Sequence, residues 1–193
     1  MTFNNLVLES NTVRLEPLNI EHKQGLCEAI CDGELWNLHV TLVPHPDNID
    51  AFIDRALELY AKGDGITFVT IDKKSNTIVG SSRFMKADFA NKKVEIGNTF
   101  LAKSAQRTTV NTQAKLLMLS YAFDELNFNR VEFLTDYLNK KSRAAILNLG
   151  AKQEGILCNH MVMPDGRVRD SVLFSIINGS WPGIKMHLTD KLK

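Results

Sequence analysis

The chain has 193 residues, a formal net charge of +1, 44% hydrophobic residues and 23% charged residues. This length suits one well-buried domain, and the composition is that of an ordinary globular protein. The near-neutral charge argues against a nucleic-acid partner and against electrostatic docking on a membrane. No apolar run approaches the ~20 residues that span a bilayer, and the N-terminus lacks the features of a signal peptide. We therefore expect a cytoplasmic protein that forms a single domain over residues 1–193.

The cysteines give no sign of a metal site. Cys27 and Cys31 are four residues apart on a helical pattern, and Cys158 is distant in the sequence. No matching His or Cys pair stands near them, so we interpret all three as structural or incidental thiols and predict no bound metal.

The first third of the sequence predicts a strand over 12–18 and a helix over 20–31. An irregular stretch over 32–47 and a second helix over 48–62 follow. Asn19 can cap the first helix, and Pro44 and Pro46 break any helix in the irregular stretch. The second helix has apolar residues at helical spacing.

The remainder predicts an α/β domain without repeats or linkers. Strands are predicted over 66–72, 77–85, 92–101, 129–136, 152–163 and 167–177. An apolar helix over 112–126 precedes the fourth of these strands, and a short helix from Asn139 to a stop at Gly150 follows it. Hairpin turns are predicted at 73–76 and 164–166, and the tail 178–193 ends in a short amphipathic piece.

The stretch 106–112, Gln-Arg-Thr-Thr-Val-Asn-Thr, is the most informative part of the sequence. It lies between a predicted strand and the apolar helix, and its Thr and Asn residues can cap that helix. Outward-facing backbone N–H groups and the positive end of the helix dipole make such a junction a site for a phosphate or pyrophosphate. The alternative is a capped helix N-terminus with no ligand.

The order of strand, anion-binding helix, strand, polar-capped helix and strand resembles the acyl-CoA core of the GNAT N-acetyltransferase superfamily. The motifs Glu95-Ile-Gly, Gln-Arg-Thr-x-Val-Asn-Thr, Asn-x-x-Ser-Arg, Leu-Gly-Ala-Lys and Pro-Asp-Gly-Arg-Val-Arg-Asp resemble its ribosomal-protein N-terminal acetyltransferase (Rim) branch. The resemblance covers 11–177, which we expect to be the core. It implies a mixed, mostly antiparallel central sheet that is flanked by helices and splayed at its central strands. It also implies transfer of the acetyl group of acetyl-CoA to an amine by direct attack, without a metal.

The resemblance assigns the cofactor-binding role to the loop and to the strand before it. The loop residues are Gln106, Arg107, Thr108, Thr109, Val110, Asn111 and Thr112. The usual family loop, Gln/Arg-x-x-Gly-x-Gly/Ala, has small residues where this chain has Thr109 and Asn111, although Asn is common in the Rim branch. Because glycine lets the backbone approach a phosphate closely, Thr109 predicts weaker CoA binding. Backbone groups around Phe100 and Leu101 should pair with the pantetheine amides, and a backbone N–H there should stabilise the oxyanion.

The helix that begins at Asn139 supplies further candidates by resemblance. Asn139 would be a ligand of the pantetheine arm, and Ser142 would protonate or hydrogen-bond the departing thiolate. Arg143 could meet a CoA phosphate or lie exposed. The alternative is that Asn139 is only an N-cap and Ser142 has no role.

The proton acceptor is predicted to be Glu95, at a position where the Rim branch often has Glu and where a carboxylate could act through a water. It could instead only pair with a basic residue on a neighbouring strand. His160 is the second candidate, because its intrinsic pKa is near neutrality. Glu132 and Asp136 are expected to be solvated or salt-bridged.

The acceptor is predicted to be a protein N-terminal α-amine or a small-molecule amine, and fold alone does not choose between them. Its pocket should involve the stretch 35–45, where Trp36, His39 and His45 could line it, or that stretch could be a packed loop. A rival function is a CoA-binding sensor or interaction domain that has lost catalysis. The protein is expected to be a monomer or a homodimer.

Overall fold

One eight-stranded sheet organises the computed structural model, which describes Phe3 and residues 6–193. The strands are β1 (Leu8–Glu9), β2 (Val13–Pro17), β3 (Ile66–Asp72), β4 (Thr77–Asp88), β5 (Lys93–Leu101), β6 (Arg130–Asp136), β7 (Lys152–Val162) and β8 (Val168–Ile177). Their order in the sheet is β1-β2-β3-β4-β5-β6-β8-β7. Within the described residues, β5 and β6 form the parallel pair and the other neighbours are antiparallel. The predicted mixed, mostly antiparallel sheet is therefore observed.

Helices cover both faces of this sheet. They are α1 (Lys23–Cys31), α2 (Ile49–Ala61), α3 (Val110–Ser120), α4 (Lys140–Asn148) and α5 (Trp181–Asp190). One hydrophobic cluster joins residues of α1 and α2 to Val69 of β3, and the other joins residues of α3, α4 and α5 to Phe68. Neighbouring residues of a strand point to opposite faces, so the two clusters lie on opposite sides of the sheet.

The central strands separate because β5 bends away from β6. Only Lys93, Val94 and Glu95 pair with β6, opposite Arg130, Val131 and Glu132. The register between β4 and β5 then shifts after Gly97, where Asn98 has a left-handed φ of 47°. A bulge of this kind bends its strand and increases the local twist. Beyond the bulge, β5 remains paired with β4 and β6 remains paired with β8. A splayed gap therefore separates β5 from β6.

Hydrophobic packing also involves residues on both sides of 11–177. Phe3, Trp181 and Leu188 all belong to the larger hydrophobic cluster. The indole of Trp181 stacks on Phe123, with ring centroids 5.2 Å apart, and its Nε1 donates to Asp124 over 2.7 Å. The amphipathic piece in the predicted tail is thus a helix that closes one end of the core.

Candidate active site

The loop 106–112 connects the end of β5 to the start of α3. A short turn, Lys103–Ala105, leads into it, and Arg107 takes the left-handed conformation with φ 63°. The side chain of Gln106 donates to the Leu101 carbonyl over 3.0 Å, and the Thr108 hydroxyl donates to the Ala105 carbonyl over 2.7 Å. These bonds tie the loop back onto the end of β5.

Several backbone amides in this loop point away from the protein's own acceptors. The Gln106 amide donates to the Ala102 and Lys103 carbonyls, and the Val110 amide donates to the Thr108 hydroxyl. Across the residues that the structure describes, the other loop amides donate to no acceptor; they belong to Arg107, Thr108, Thr109, Asn111 and Thr112. Unpaired backbone amides at the positive end of a helix dipole are the kind of donors that bind an anion.

Thr109 does not strain this loop. Its backbone is right-handed helical, with φ −73° and ψ −11°, so the position does not require glycine on conformational grounds. The left-handed position is taken by Arg107 instead. The departure from the family's glycine therefore adds a side chain at the surface of the loop, and no backbone distortion accompanies it.

The splayed gap lies at the same edge of the sheet as this loop. Because β5 and β6 are parallel, their carboxyl ends meet there, and α3 and α4 both begin at that edge. The stretch of β5 that contains Phe100 and Leu101 pairs with β4 on one side and leaves its other edge unpaired with β6. An extended chain with amide groups could add to that edge as a strand would.

The start of α4 carries the predicted Asn139 and Ser142. The Asn139 Oδ1 accepts the Ser142 amide over 3.0 Å, so Asn139 is an N-cap, and its Nδ2 remains as a donor for a ligand. Ser142 is half-buried on the first turn of the helix. The Arg143 guanidinium donates to the Tyr137 carbonyl over 3.1 Å and lies 4.9 Å from the Tyr137 ring centre, which holds it against that ring.

Glu95 is buried, with 5% of its surface exposed, on the face opposite Val94 and Ile96. Its Oε2 accepts from the Lys86 ammonium over 2.7 Å. Arg83 and Arg169 are also close enough to interact with it electrostatically, and burial lowers the pKa of both guanidiniums. The carboxylate therefore lies among basic groups, beside the point where β5 leaves β6.

His160 lies away from Glu95. It is exposed on β7, and β8 and β6 separate that strand from β5. Its Nδ1 is 3.0 Å from the Ser171 hydroxyl. Of the expected pairs, Glu132 binds Arg130 and the buried Asp136 binds Arg167.

Lys115 is a buried amine that the sequence analysis did not predict. It is 4% exposed, and its ammonium donates to the Ser82 hydroxyl over 2.6 Å and to the Thr99 hydroxyl over 2.7 Å. Burial lowers its pKa to about 7. It joins α3 to the bulged part of β5, directly after Asn98. Its position four residues before the buried Leu119 is the signal that could have revealed it.

The stretch 35–45 packs against the cluster around α1 and α2 and is linked to the end of β6. The Trp36 ring contacts His45 edge-on, with centroids 5.0 Å apart, and joins the cluster around α1 and α2. The His39 carbonyl accepts from Arg167, which also binds Asp136. Arg167 thus ties this stretch to the end of β6.

Among the residues that the structure describes, no group of three or more His, Cys, Asp or Glu side chains is placed to hold a metal ion. None of the helices within Phe3 and residues 6–193 is long and apolar enough to cross a membrane.

Known proteins resemble this chain over most of its length. Residues 12–152 match the family described as the acetyltransferase (GNAT) domain. The structure of a GCN5-related N-acetyltransferase from Brucella melitensis superposes with a TM-score of 0.89 at 30% identity, over 100% of this chain and 88% of that one.

Two further relatives bear on the predicted branch. YdaF of Bacillus subtilis (strain 168), whose name assigns it to the ribosomal N-acetyltransferases, is 31% identical over 109 residues, which are 56% of this chain and 58% of YdaF. RimJ of Mycobacterium smegmatis, solved in complex with CoA-disulfide, shares the fold with a TM-score of 0.79 at 18% identity, over 93% of this chain and 88% of RimJ. The predicted likeness to the Rim branch is confirmed.

Proposed function

Because the chain belongs to the GNAT acetyltransferase family and is an acetyl-CoA-dependent acyltransferase, we propose that its acceptor is the α-amine of a protein or peptide N-terminus. The observation that carries the proposal is the likeness over 109 residues to YdaF, whose name assigns it to the ribosomal N-acetyltransferases. The splayed gap with two helix N-termini at one edge of the sheet would hold the acetyl-CoA.

The chain's own groups fit acetyl-CoA. The free amides of the loop 106–112 would hold the pyrophosphate, and the open edge of β5 at Phe100 and Leu101 would pair with the pantetheine amides. Asn139 would add a donor from Nδ2. The thioester, when bound, supplies an acyl group that an amine can attack without a metal.

Glu95 and Ser142 serve the two proton transfers. Nitrogen attack forms a C–N bond, the C–S bond breaks, and the nitrogen proton passes to Glu95 directly or through a water. The Ser142 hydroxyl gives a proton or a hydrogen bond to the departing thiolate. A backbone N–H near Phe100 stabilises the oxyanion.

The chemistry of the amine also favours an N-terminal acceptor. A lysine-type ammonium has a pKa near 10.4, whereas an α-ammonium has a pKa near 8. At neutral pH a larger fraction of an α-amine is therefore deprotonated, so a carboxylate such as Glu95 needs to remove a proton from fewer acceptor molecules.

The experiment is a thiol-release assay with acetyl-CoA, run against alanine-initiated peptides, the same peptides with a blocked N-terminus, and small amines. We expect turnover with free α-amines and none with blocked ones. Turnover confined to small amines would shift the acceptor to a metabolite. Acetyl-CoA binding without any turnover would support the sensor alternative.

A further inference from the structure

A small pocket lies between α2 and the sheet, on the same face as Glu95. It has a volume of about 70 Å³, several times the minimum that a water needs. Its lining residues are Phe52, Arg55, Ala56, Thr67, Arg83 and Asn98. Asn98 is the bulge residue of β5, so the pocket reaches the point where the central strands separate.

Two neighbouring side chains in this pocket carry polar atoms that lack a partner. Thr67 and Arg83 are directly opposite each other in the register of β3 and β4, and they are 5% and 7% exposed. Thr67 Oγ1 and Arg83 Nε are buried, and neither has a hydrogen-bond partner within Phe3 and residues 6–193. Buried polar atoms are nearly always paired in native proteins, either within the protein or with an ordered water, so these two atoms are open to a water or to a polar group of a ligand.

The charge of the pocket favours a neutral oxygen. Arg83 binds Asp64 over 2.7 Å and Arg55 binds Glu58 over 2.7 Å, so both guanidiniums already have carboxylate partners. The bond to Asp64 uses one terminal nitrogen of Arg83 and leaves Nε as a donor. An arginine donates and cannot accept, so the missing partner of Nε is an acceptor oxygen.

The distance to Glu95 matches an amino-acyl group. Arg83 is opposite Gly97 and Met85 is opposite Glu95, so Arg83 and Glu95 are diagonal neighbours with Cβ atoms roughly 7 Å apart. In an α-aminoacyl group the amine and the carbonyl oxygen are about 3 Å apart. With a hydrogen bond of about 3 Å at each end, the group spans roughly 9 Å between Arg83 Nε and a Glu95 carboxylate oxygen. Both polar atoms lie beyond their Cβ atoms, so Cβ atoms roughly 7 Å apart are compatible with one group that reaches both side chains.

We propose that this pocket is a subsite for the oxygen next to the acceptor amine, bound by Arg83 Nε and Thr67 Oγ1 while the amine faces Glu95. The oxygen is the first carbonyl of a peptide or the carboxylate of a free α-amino acid, and the near-neutral pocket prefers the carbonyl. This inference rests on the proposed function, because it places the α-amine acceptor at Glu95. Amines without such an oxygen bind poorly.

Three probe amines test the subsite: alaninamide with a neutral carbonyl, alanine with a carboxylate, and isopropylamine with no oxygen. Arg83→Met should raise the KM for alaninamide by about 10- to 100-fold, as expected for a lost bond to a charged donor. Thr67→Val keeps the shape and should raise it several-fold without lowering the melting temperature. The Kd for CoA should stay unchanged in both variants, and the KM for isopropylamine should stay unchanged in Thr67→Val. Because Arg83 also interacts with Glu95, Arg83→Met is judged by the difference between the probes, and the KM for alaninamide should rise far more than the KM for isopropylamine.

Two results would overturn the subsite: equal changes in KM for alaninamide and isopropylamine, or no change for either. If alanine responds more strongly than alaninamide, the occupant is a carboxylate and the preference for a carbonyl is wrong. If the wild type acetylates none of the probes, the proposed α-amine activity fails separately. The subsite is then judged by NMR titration of alaninamide into the CoA complex, where equal binding to wild type and Arg83→Met overturns it.

Discussion

The Lys86 ammonium lies 2.7 Å from a carboxylate oxygen of Glu95, although Glu95 is buried and the Lys86 side chain is 58% exposed. An ammonium thus already occupies the position beside Glu95 that an acceptor ammonium would approach. Because the lysine side chain extends into solvent, its ammonium can move into water, and the guanidiniums of Arg83 and Arg169 remain to compensate the buried charge of Glu95.

Removing this lysine should help the acceptor. Lys86→Gln frees the Glu95 carboxylate, so the KM for an alanine-initiated peptide should fall a few-fold while the Kd for CoA stays constant. Steady-state kinetics at saturating acetyl-CoA measure the change. A higher KM in the variant would show that Lys86 assists the acceptor instead of competing with it.

Glu95→Gln should reduce turnover in a pH-dependent way. The amide keeps the shape of the side chain and removes the proton acceptor, so the loss should be largest near neutral pH. Above the α-ammonium pKa near 8 the amine deprotonates by itself, and part of the rate should return. A kcat/KM profile against pH measures this. The exposed His160 provides the comparison: His160→Ala should do little, and the reverse pattern would identify His160 as the base.

Ser142→Ala and Asn139→Ala should separate chemistry from binding. Ser142→Ala should lower kcat by about ten- to a thousandfold with nearly unchanged CoA affinity, as expected for a proton donor to the thiolate. Asn139→Ala should weaken CoA binding and also cost about 1 kcal/mol of stability, because it removes the N-cap of α4. Unchanged turnover in Ser142→Ala would exclude Ser142 from the mechanism.

Lys115 should make stability depend on pH. Its native pKa is about 7, against 10.5 for an unperturbed lysine, and burial is the cause. Between these values the unfolded chain binds more protons than the native state, so the free energy of unfolding rises with pH. The stability advantage of Lys115→Met over wild type should therefore be largest below about pH 7 and shrink towards about pH 10. Urea unfolding measures it.

The matched control for that experiment is Lys74→Met, because Lys74 is exposed in a hairpin turn. Its stability difference from wild type should not change over the same pH range. A constant difference for Lys115→Met as well would contradict the lowered pKa of Lys115.

The sequence predicted what depends on periodicity and turn chemistry. Strand β3 spans Ile66–Asp72, as predicted, because apolar residues fill that strand between clear turn signals. The apolar helix predicted over 112–126 instead begins at Val110 and passes into a π-helical turn over Tyr121–Glu125. Hydrophobic spacing does not distinguish these hydrogen-bond patterns.

Features set by tertiary contact could not be read in the same way. The bulge at Asn98 depends on the register of β4, and the burial of Lys115 depends on hydroxyls from two strands. Trp181 looked like part of a tail because its partners, Phe123 and Asp124, are distant in sequence. The unpaired atoms of Thr67 and Arg83 likewise appear only once β3 and β4 are paired.

Calorimetric titration with CoA tests the central assignment, the loop 106–112 as the pyrophosphate site, most directly. Proline can adopt the observed φ of −73° at position 109, but Thr109→Pro removes one free amide and restricts the backbone conformation of Thr108. Thr109→Gly keeps the amide and removes the side chain. We predict that Thr109→Pro weakens CoA binding about tenfold or more, as expected for the loss of a hydrogen bond to a charged group, and that Thr109→Gly binds at least as tightly as wild type. Equal affinity in wild type and Thr109→Pro would contradict the account.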